Sequence, residues 1–436
     1  MWLCFRGYYY EMMSHFDSPQ CLKKKEFEKN SLNLLDRIDL DCGEILKNDE
    51  KATSFYKNWI YDHQYHERQL YEADDKCSAL HSRFHFGVTP LSKEEADFPL
   101  AYGFVVYKNP VQILFSLSSF YQPQNLYCFA VDGHSSKEFK KLFNELGKCL
   151  PNVHVFEVSP VSWGTFSIVN AVWSCLRWTT NSNHTWKYYQ YLSGVDIPLK
   201  TNWEMVQILK ALNGTINMEL STFQPRRLTA EKKASDSPIP LYKSSLSALV
   251  PREAARIFVN DEKANKTVEF LRNSRIPDEG LWATLAGNPS VLKVPGGLPA
   301  NEFLKVKEAM RTKKTQERKR NSSRTDAFQA RFDTPTRYYF SRYQIWGRNG
   351  CYGKLSASSC IFGVKDLPNL LNRPELVAHK LYIDYQPAAF FCILKENQRR
   401  TLKRELFNAI NYTKIPQVEY ERGVSINELT HPEFIN

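Results

Sequence analysis

The sequence predicts an α/β protein with a central, mostly parallel sheet, and three observations carry that prediction. Compact apolar runs rich in β-branched and aromatic residues recur at 100–107, 126–131 and 153–158. Segments of helical apolar period separate them. The resulting strand–helix–strand–helix–strand unit spans only about 60 residues, the spacing of parallel strands joined by crossover helices.

In chain order, Leu100–Tyr107 reads as a buried strand, and Pro110 opens a helix that ends near Tyr121–Pro123. Leu126–Val131 is the second strand and stops at Asp132-Gly133. Ser136–Cys149 is amphipathic, with Phe139, Leu142, Phe143 and Leu146 on one face. Val153–Val158 is the third strand, Thr165–Trp178 a helix and Lys187–Leu192 a strand. Ser193–Thr201 is a turn carrying Asp196, and Asn202–Ala211 a helix capped by Thr201 or Asn202. Residues 220–240 read as a polar loop over the site. Pro251–Val259 and Glu279–Leu285 are helical, and Tyr338–Trp346 is strand-like. Asp366–Leu371, Glu375–His379 and Gln398–Ile410 read as helices. The polar segment 1–75 reads as a stem and N-terminal flap, with a helix around Phe27–Ile38. That leaves 76–400 as the main domain and 401–436 as a C-terminal extension.

The 436 residues include 42% apolar and 14% aromatic side chains, enough for a real core. Formal charge is +11, but Lys305–Arg324 alone holds nine cations against Glu308 and Glu317. That concentration reads as a solvated basic loop inserted at 305–325, and a nucleic-acid-binding face would spread its charge more widely.

The ten cysteines form no Cys-x-x-Cys pair and no zinc-spaced cluster. Five N-glycosylation acceptor tripeptides begin at Asn183, Asn213, Asn265, Asn321 and Asn411 and favour the secretory route. The N-terminal run Met1–Phe5 is cut short by Arg6, far from the roughly 20 apolar residues of a membrane span.

The chemistry concentrates at Pro277-Asp278-Glu279, ahead of the apolar run Leu281–Leu285. Proline suits a first helical turn, and carboxylates there meet the positive end of the dipole. A carboxylate so held at a pocket edge can take a proton from a sugar hydroxyl. Ligands of parallel sheets sit beyond the strands' carboxyl ends, where Asp132 falls. No Gly-x-Gly-x-x-Gly follows a strand, and no phosphate-binding Gly-x-x-x-x-Gly-Lys motif occurs.

Four motifs, Pro90–Tyr102, Gln122–Asp132, Trp186–Thr201 and Pro277–Thr284, resemble in order those of the core-2/I-branching β-1,6-N-acetylglucosaminyltransferases. The resemblance covers roughly residues 75–395, and peptide O-xylosyltransferases share the superfamily. It implies a GT-A-like fold and an inverting transferase without a divalent metal. The donor would be a UDP-sugar as co-substrate, most simply one carrying GlcNAc, and the acceptor an O-glycan or glycoprotein hydroxyl. Glu279 matches the family's base, Val105 and Asp132 its uridine and ribose contacts, and Lys380 its diphosphate lysine. Trp346 matches an acceptor-stacking aromatic, with an ordinary core tryptophan as the alternative. Asp196 reads as a cap in its turn or a substrate contact, and Asp278 as a group that orients the helix start.

The resemblance also implies the pairs Cys42–Cys392, Cys77–Cys149, Cys128–Cys175 and Cys351–Cys360, leaving Cys4 and Cys21. It implies a Golgi-lumenal type II membrane protein, although the anchor is not seen in this sequence. One departure stands out. Family enzymes place an arginine where this chain has Ala357, with Lys354, Lys365, Ser358 and Ser359 as possible substitutes. That departure keeps open a xylosyl- or glucosyltransferase of the same fold, or a catalytically silent glycan-binding protein.

Overall fold

A computed structural model describes residues 33–47, 49–321 and 338–430. Its centre is a five-stranded sheet. The strands are β1 (Leu100–Val106), β2 (Leu126–Asp132), β3 (Val153–Val158), β4 (Tyr188–Ser193) and β8 (Leu249–Pro251), in the order β3-β2-β1-β4-β8. The first four are parallel and β8 runs antiparallel to β4. A smaller sheet, β5-β12-β9, joins β5 (Asp196–Pro198), β12 (Val377–His379) and β9 (Tyr343–Gln344). Two hairpins complete the set: β6 (Ser221–Thr222) with β7 (Tyr242–Lys243), and β10 (Lys354–Ser356) with β11 (Ser359–Ile361).

Strand periodicity sorts the core into two layers. Tyr102, Phe104 and Val106 of β1 face the same cluster as Tyr127, Phe129 and Val131 of β2. There Phe104 stacks on Phe129 with ring centroids 4.5 Å apart. Ala101, Tyr189 and Tyr191 face the opposite cluster with Trp173 and Trp282. Helices Pro110–Ser118, Lys137–Cys149 and Pro387–Lys403 cover one face, and Phe166–Asn181 and Arg252–Asn260 the other. Thr201 forms a capping box with Glu204 at the start of Asn202–Ala211.

The four expected disulfides are present. Cys128–Cys175 ties β2 to the helix Phe166–Asn181, and Cys42–Cys392 closes a span of 350 residues. Cys77–Cys149 and Cys351–Cys360 complete the set. Cys4 and Cys21 lie outside the described residues. Of the helix expected around Phe27–Ile38, the described part is a turn over 34–37. Leu34, Leu35, Ile45 and Leu70 join the core beneath β1.

Four expectations are corrected. The basic segment is no loop as far as Asn321, because Ala300–Asn321 is a 22-residue helix. It contains no Gly or Pro, and its Lys, Arg, Glu and Gln favour helix even without an apolar stripe. Glu375–His379, expected as helix, instead contributes β12, held between β5 and β9 by backbone pairing that no local period announces. The C-terminal helix begins at Pro387, not Gln398, and ends at Lys403, with Arg404 in the left-handed region at φ 50°. Of Tyr338–Trp346, only Tyr343–Gln344 is strand.

Among the expected glycosylation sites, Asn183, Asn213 and Asn411 are exposed. The Asn265 amide donates to the carbonyls of Val259 and Asp261, and Thr267 is buried. Asn321 ends its helix.

Replacing both Cys42 and Cys392 by serine removes the longest covalent closure. We expect a loss of roughly 2–4 kcal/mol in global stability, together with faster amide exchange over 33–60, measured by denaturant unfolding and hydrogen exchange.

Candidate active site

The carboxyl ends of β1, β2 and β4 lie side by side. Val105 pairs in register with Ala130 on one side and with Ser193 on the other. Asp132 ends β2 and is buried. Its Oδ1 accepts from the backbone N–H of His134 at 2.8 Å and of Val161 at 3.1 Å, and contacts His134 Nδ1 at 3.0 Å. Beside it Gly133 has no room for a side chain, since a Cβ there would meet the Pro160 ring at 2.7 Å.

The loop 159–165 then crosses to the second half of the site. The Gly164 carbonyl accepts from Ile276 N–H at 3.0 Å, and the Ile276 carbonyl accepts from Glu279 N–H at 3.2 Å. One short loop therefore fixes Asp132 and Glu279 relative to each other, two residues that are far apart in sequence.

Glu279 sits in a four-residue 3-10 turn, Pro277–Gly280, and not in the first turn of a long helix; the helix that follows, Trp282–Ala286, has five residues. Its charge is met by side chains more than by a helix dipole. Oε2 lies 2.6 Å from the Arg227 guanidinium and 3.3 Å from Lys243 Nζ. The Glu279 carbonyl accepts from Ser244 N–H at 2.7 Å, and Thr284 bonds to Tyr242. Oε1 has no hydrogen-bond partner among the described residues.

Asp278 does not cap the turn. Its Oδ1 is buried with no hydrogen-bond partner among the described residues. Burial first, and the neighbouring Glu279 charge second, push this carboxyl up to about 6, against the pull of its own backbone N–H and then of Arg227 and Lys243.

Across the sheet, Asp196 proves to be a structural group. Its Oδ2 accepts from Ser193 N–H and from Arg342, both at 2.6 Å, and Oδ1 lies 2.8 Å from His379 Nδ1. Burial alone would raise this carboxyl, but Arg342 and His379 together hold it below the ordinary carboxylate range. This network joins β5 to β12, which leads into Lys380. Lys380 Nζ donates to the Ser356 carbonyl at 3.1 Å, and burial holds its ammonium below the usual lysine range.

Ser356 opens the hairpin whose two turn residues, Ala357 and Ser358, have φ of 50° and 62°. Ala357 is exposed. Lys354 lies over the Tyr385 ring at 4.3 Å and Lys365 over Tyr352 at 5.0 Å, so the two lysines among the candidate replacements rest on aromatic faces. Ser359 is buried and its hydroxyl accepts from Gln344. Trp346 bridges Ser359 through its backbone and is 56% exposed, so it is no core tryptophan.

Lys380 and Trp346 both meet the hairpin that carries Ala357, while Val105 and Asp132 lie at neighbouring strand ends and Glu279 is linked to Asp132 through the loop 159–165. No hydrogen bond or ion pair joins Glu279 to Lys380 or Trp346 among the described residues. The Arg342 guanidinium lies over the Tyr191 ring of β4, 5.4 Å from its centroid.

A family model described as "Branch: Core-2/I-Branching enzyme" matches residues 100–368, the span that contains both strand ends and the Glu279 turn. The chain belongs to the core-2/I-branching enzyme family. It is therefore a glycosyltransferase. It is similar to human beta-1,3-galactosyl-O-glycosyl-glycoprotein beta-1,6-N-acetylglucosaminyltransferase, 29% identical over 394 residues, covering 84% of this chain and 87% of that protein. It is also similar to mouse N-acetyllactosaminide beta-1,6-N-acetylglucosaminyl-transferase, 27% identical over 400 residues, with 86% and 88% covered. Among the described residues, no helix is long and apolar enough to cross a membrane, and no three His, Cys, Asp or Glu side chains gather as a metal site.

Arg227, Lys243, Arg342 and His379 escaped the sequence reading. Only the Arg226-Arg227 pair beside Pro225 gave a local signal, and nothing tied it to Glu279.

The raised Asp278 carboxyl has a testable sign. The folded state binds this proton more tightly than the unfolded chain, so the group costs stability above pH 6, and that cost fades as pH falls from 6 towards 4. Asp278→Asn should be more stable than wild type by about 1–2 kcal/mol at pH 7.5, the gap closing by pH 4.5, as read from unfolding midpoints across pH.

Proposed function

We propose that this chain transfers N-acetylglucosamine from UDP-GlcNAc to a hydroxyl of an O-glycan, with inversion at the anomeric carbon and without a divalent cation. The observation that carries the reading is the split role of the Glu279 carboxylate. Oε2 is held by Arg227 and Lys243 while Oε1 has no hydrogen-bond partner among the described residues, and one loop links the turn to Asp132. The names of the relatives support the sugar and a β-1,6 linkage.

In this reading the acceptor O–H gives its proton to Glu279 Oε1 as its oxygen bonds to C1 of the donor sugar. The C1–O bond to the β-phosphate breaks, and its electron pair leaves with UDP. Attack and departure on opposite faces invert the centre in one displacement. Val105 and Asp132 hold the uridine and ribose. Lys380 meets the charge developing on the diphosphate, and an arriving phosphate favours its charged form. Trp346, exposed beside the Ser359 hairpin, packs against the acceptor sugar.

Four disulfides favour an oxidising compartment, in keeping with a Golgi-lumenal enzyme. Ala357 favours a second reading, since without a guanidinium on the hairpin the donor could be a xylosyl or glucosyl nucleotide. A donor panel scored by UDP release separates the two.

Glu279→Gln should lower transfer by about 10²–10⁴-fold while UDP affinity stays within twofold. Transfer by wild type should persist in excess EDTA. Both are read with a radiolabelled or mass-resolved product, and wild-type turnover by the glutamine variant would reassign the base.

A further inference from the structure

The helix Ala300–Asn321 carries much of the chain's charge, and no step of the transfer uses it. From Lys305 to Asn321 it holds eight Lys and Arg against Glu308 and Glu317, in a chain whose formal charge is +11. Its start is built into the core. Ala300 is buried, its N–H donates to the Gly287 carbonyl at 2.9 Å, and Phe303 packs on Tyr420 with ring centroids 5.6 Å apart. Lys307 Nζ then donates to the Leu220 carbonyl at 2.9 Å. That contact brings the helix beside the site, because Ser221 pairs with Lys243, and Lys243 Nζ lies 3.3 Å from Glu279 Oε2.

Helical spacing sorts this charge. Positions 300, 304, 307, 311, 314 and 318 recur at steps of three and four and form one row along the helix. The row is buried at Ala300 and half-buried at Leu304, turns cationic at Lys307, and continues with positions Arg311, Lys314 and Arg318. Glu308 and Glu317 fall outside it. The Lys307–Leu220 bond sets its direction, since the row starts against the body and runs on from the segment that borders Glu279. Like charges three and four positions apart repel and weaken a helix, and these four span about 16 Å. An anionic chain laid along the row removes that penalty and gains charge-assisted hydrogen bonds.

We infer that Arg311, Lys314 and Arg318 dock an anionic glycan of the acceptor molecule, one whose outer sugars carry carboxylate or sulfate groups. This rests on the functional reading above, which puts the acceptor hydroxyl at Glu279. The row continues from the segment that borders that carboxylate, and an acceptor several sugars long spans from one to the other. Four disulfides favour an oxidising compartment, where sugars and not nucleic acids supply the polyanions. Ion pairs at a helix surface add modest affinity and speed encounter with a charged partner. They select among acceptors without touching the transfer chemistry.

The test uses the full chain and matched acceptors: a neutral O-glycan, and the same glycan with sialic acid or with sulfate on an outer sugar. For wild type, kcat/KM with a sialylated or sulfated acceptor should exceed the neutral value roughly three- to tenfold, the preference fading by about 0.5 M salt. The triple variant Arg311→Gln, Lys314→Gln, Arg318→Gln should bring that ratio to about one. The triple variant Lys305→Gln, Lys313→Gln, Lys319→Gln, which loses the same charge off the row, should keep most of it. Circular dichroism checks the fold of both. Equal use of neutral and anionic acceptors by wild type overturns the inference, as does a ratio that the first variant leaves unchanged or that both lower equally. An Asp- and Glu-rich acceptor peptide preferred over the anionic glycans, or salt-sensitive RNA binding without glycan preference, gives the row to another partner and overturns it too. Row-dependent binding of the sulfated glycan by isothermal titration, with no transfer to any acceptor, overturns the functional reading alone. Neither binding nor transfer overturns both.

Discussion

A buried carboxylate must find a cation, a row of N–H donors or a proton, and that constraint organises the whole carboxyl edge of this sheet. Four acids meet it in different ways. Asp132 is satisfied by peptide N–H groups of its own turn and of the loop that follows β3. Asp196 is neutralised by Arg342 and His379 and gains the N–H of Ser193. Glu279 is held on one oxygen only, by two cations. Asp278 has a buried oxygen without a partner, and burial raises its affinity for a proton. The chemistry follows from these differences. Asp196, bonded through both oxygens, is a structural strut, whereas Asp132 and Glu279 are each bonded through one oxygen, Oδ1 and Oε2, with no hydrogen bond on the other among the described residues.

The sheet was legible in the sequence because β1, β2 and β4 are buried on both faces and read as near-continuous apolar runs, with β3 at the edge continuing the pattern. The helix Lys137–Cys149 was equally plain, with Phe139, Leu142, Phe143 and Leu146 at helical spacing. Legibility failed where pairing is non-local. The strand Val377–His379 is only three residues long and exists because β5 and β9 flank it. In the site, Asp132 could be placed from its strand end, and Glu279 from the proline and apolar run around it. Lys380 was placed by family resemblance alone. Their partners could not be read: Arg227 lies 52 positions from Glu279, Arg342 146 from Asp196, and His379 183 from Asp196. Ion pairs closed by tertiary folding leave no periodic trace.

The hairpin at Ala357 shows how a lost side chain changes a site without changing its frame. Cys351–Cys360, the Lys380–Ser356 bond and the Trp346–Ser359 bridge hold the hairpin in place with no guanidinium on its tip. Two consecutive residues at positive φ usually call for Gly or Asn, and here Ala and Ser adopt that conformation. The backbone geometry is therefore set by the surrounding contacts and not by the turn residues. On the reading proposed above, Lys380 then carries a larger share of the leaving-group charge.

The loop 159–165 turns these separate solutions into one machine. Without it, Asp132 would belong to the sheet and Glu279 to a turn held by the 220–246 segment and packed on Leu271 and the helix Phe166–Asn181. With it, the backbone that completes Asp132's hydrogen bonding also fixes the residue that accepts Glu279's N–H. The two ends are therefore joined by a short run of backbone, with Pro160 packed on Gly133 at its start. Catalysis by positioning needs that kind of stiffness, since reacting atoms must be held near contact distance before the barrier is crossed. Here the stiffness comes from peptide groups and one missing Cβ.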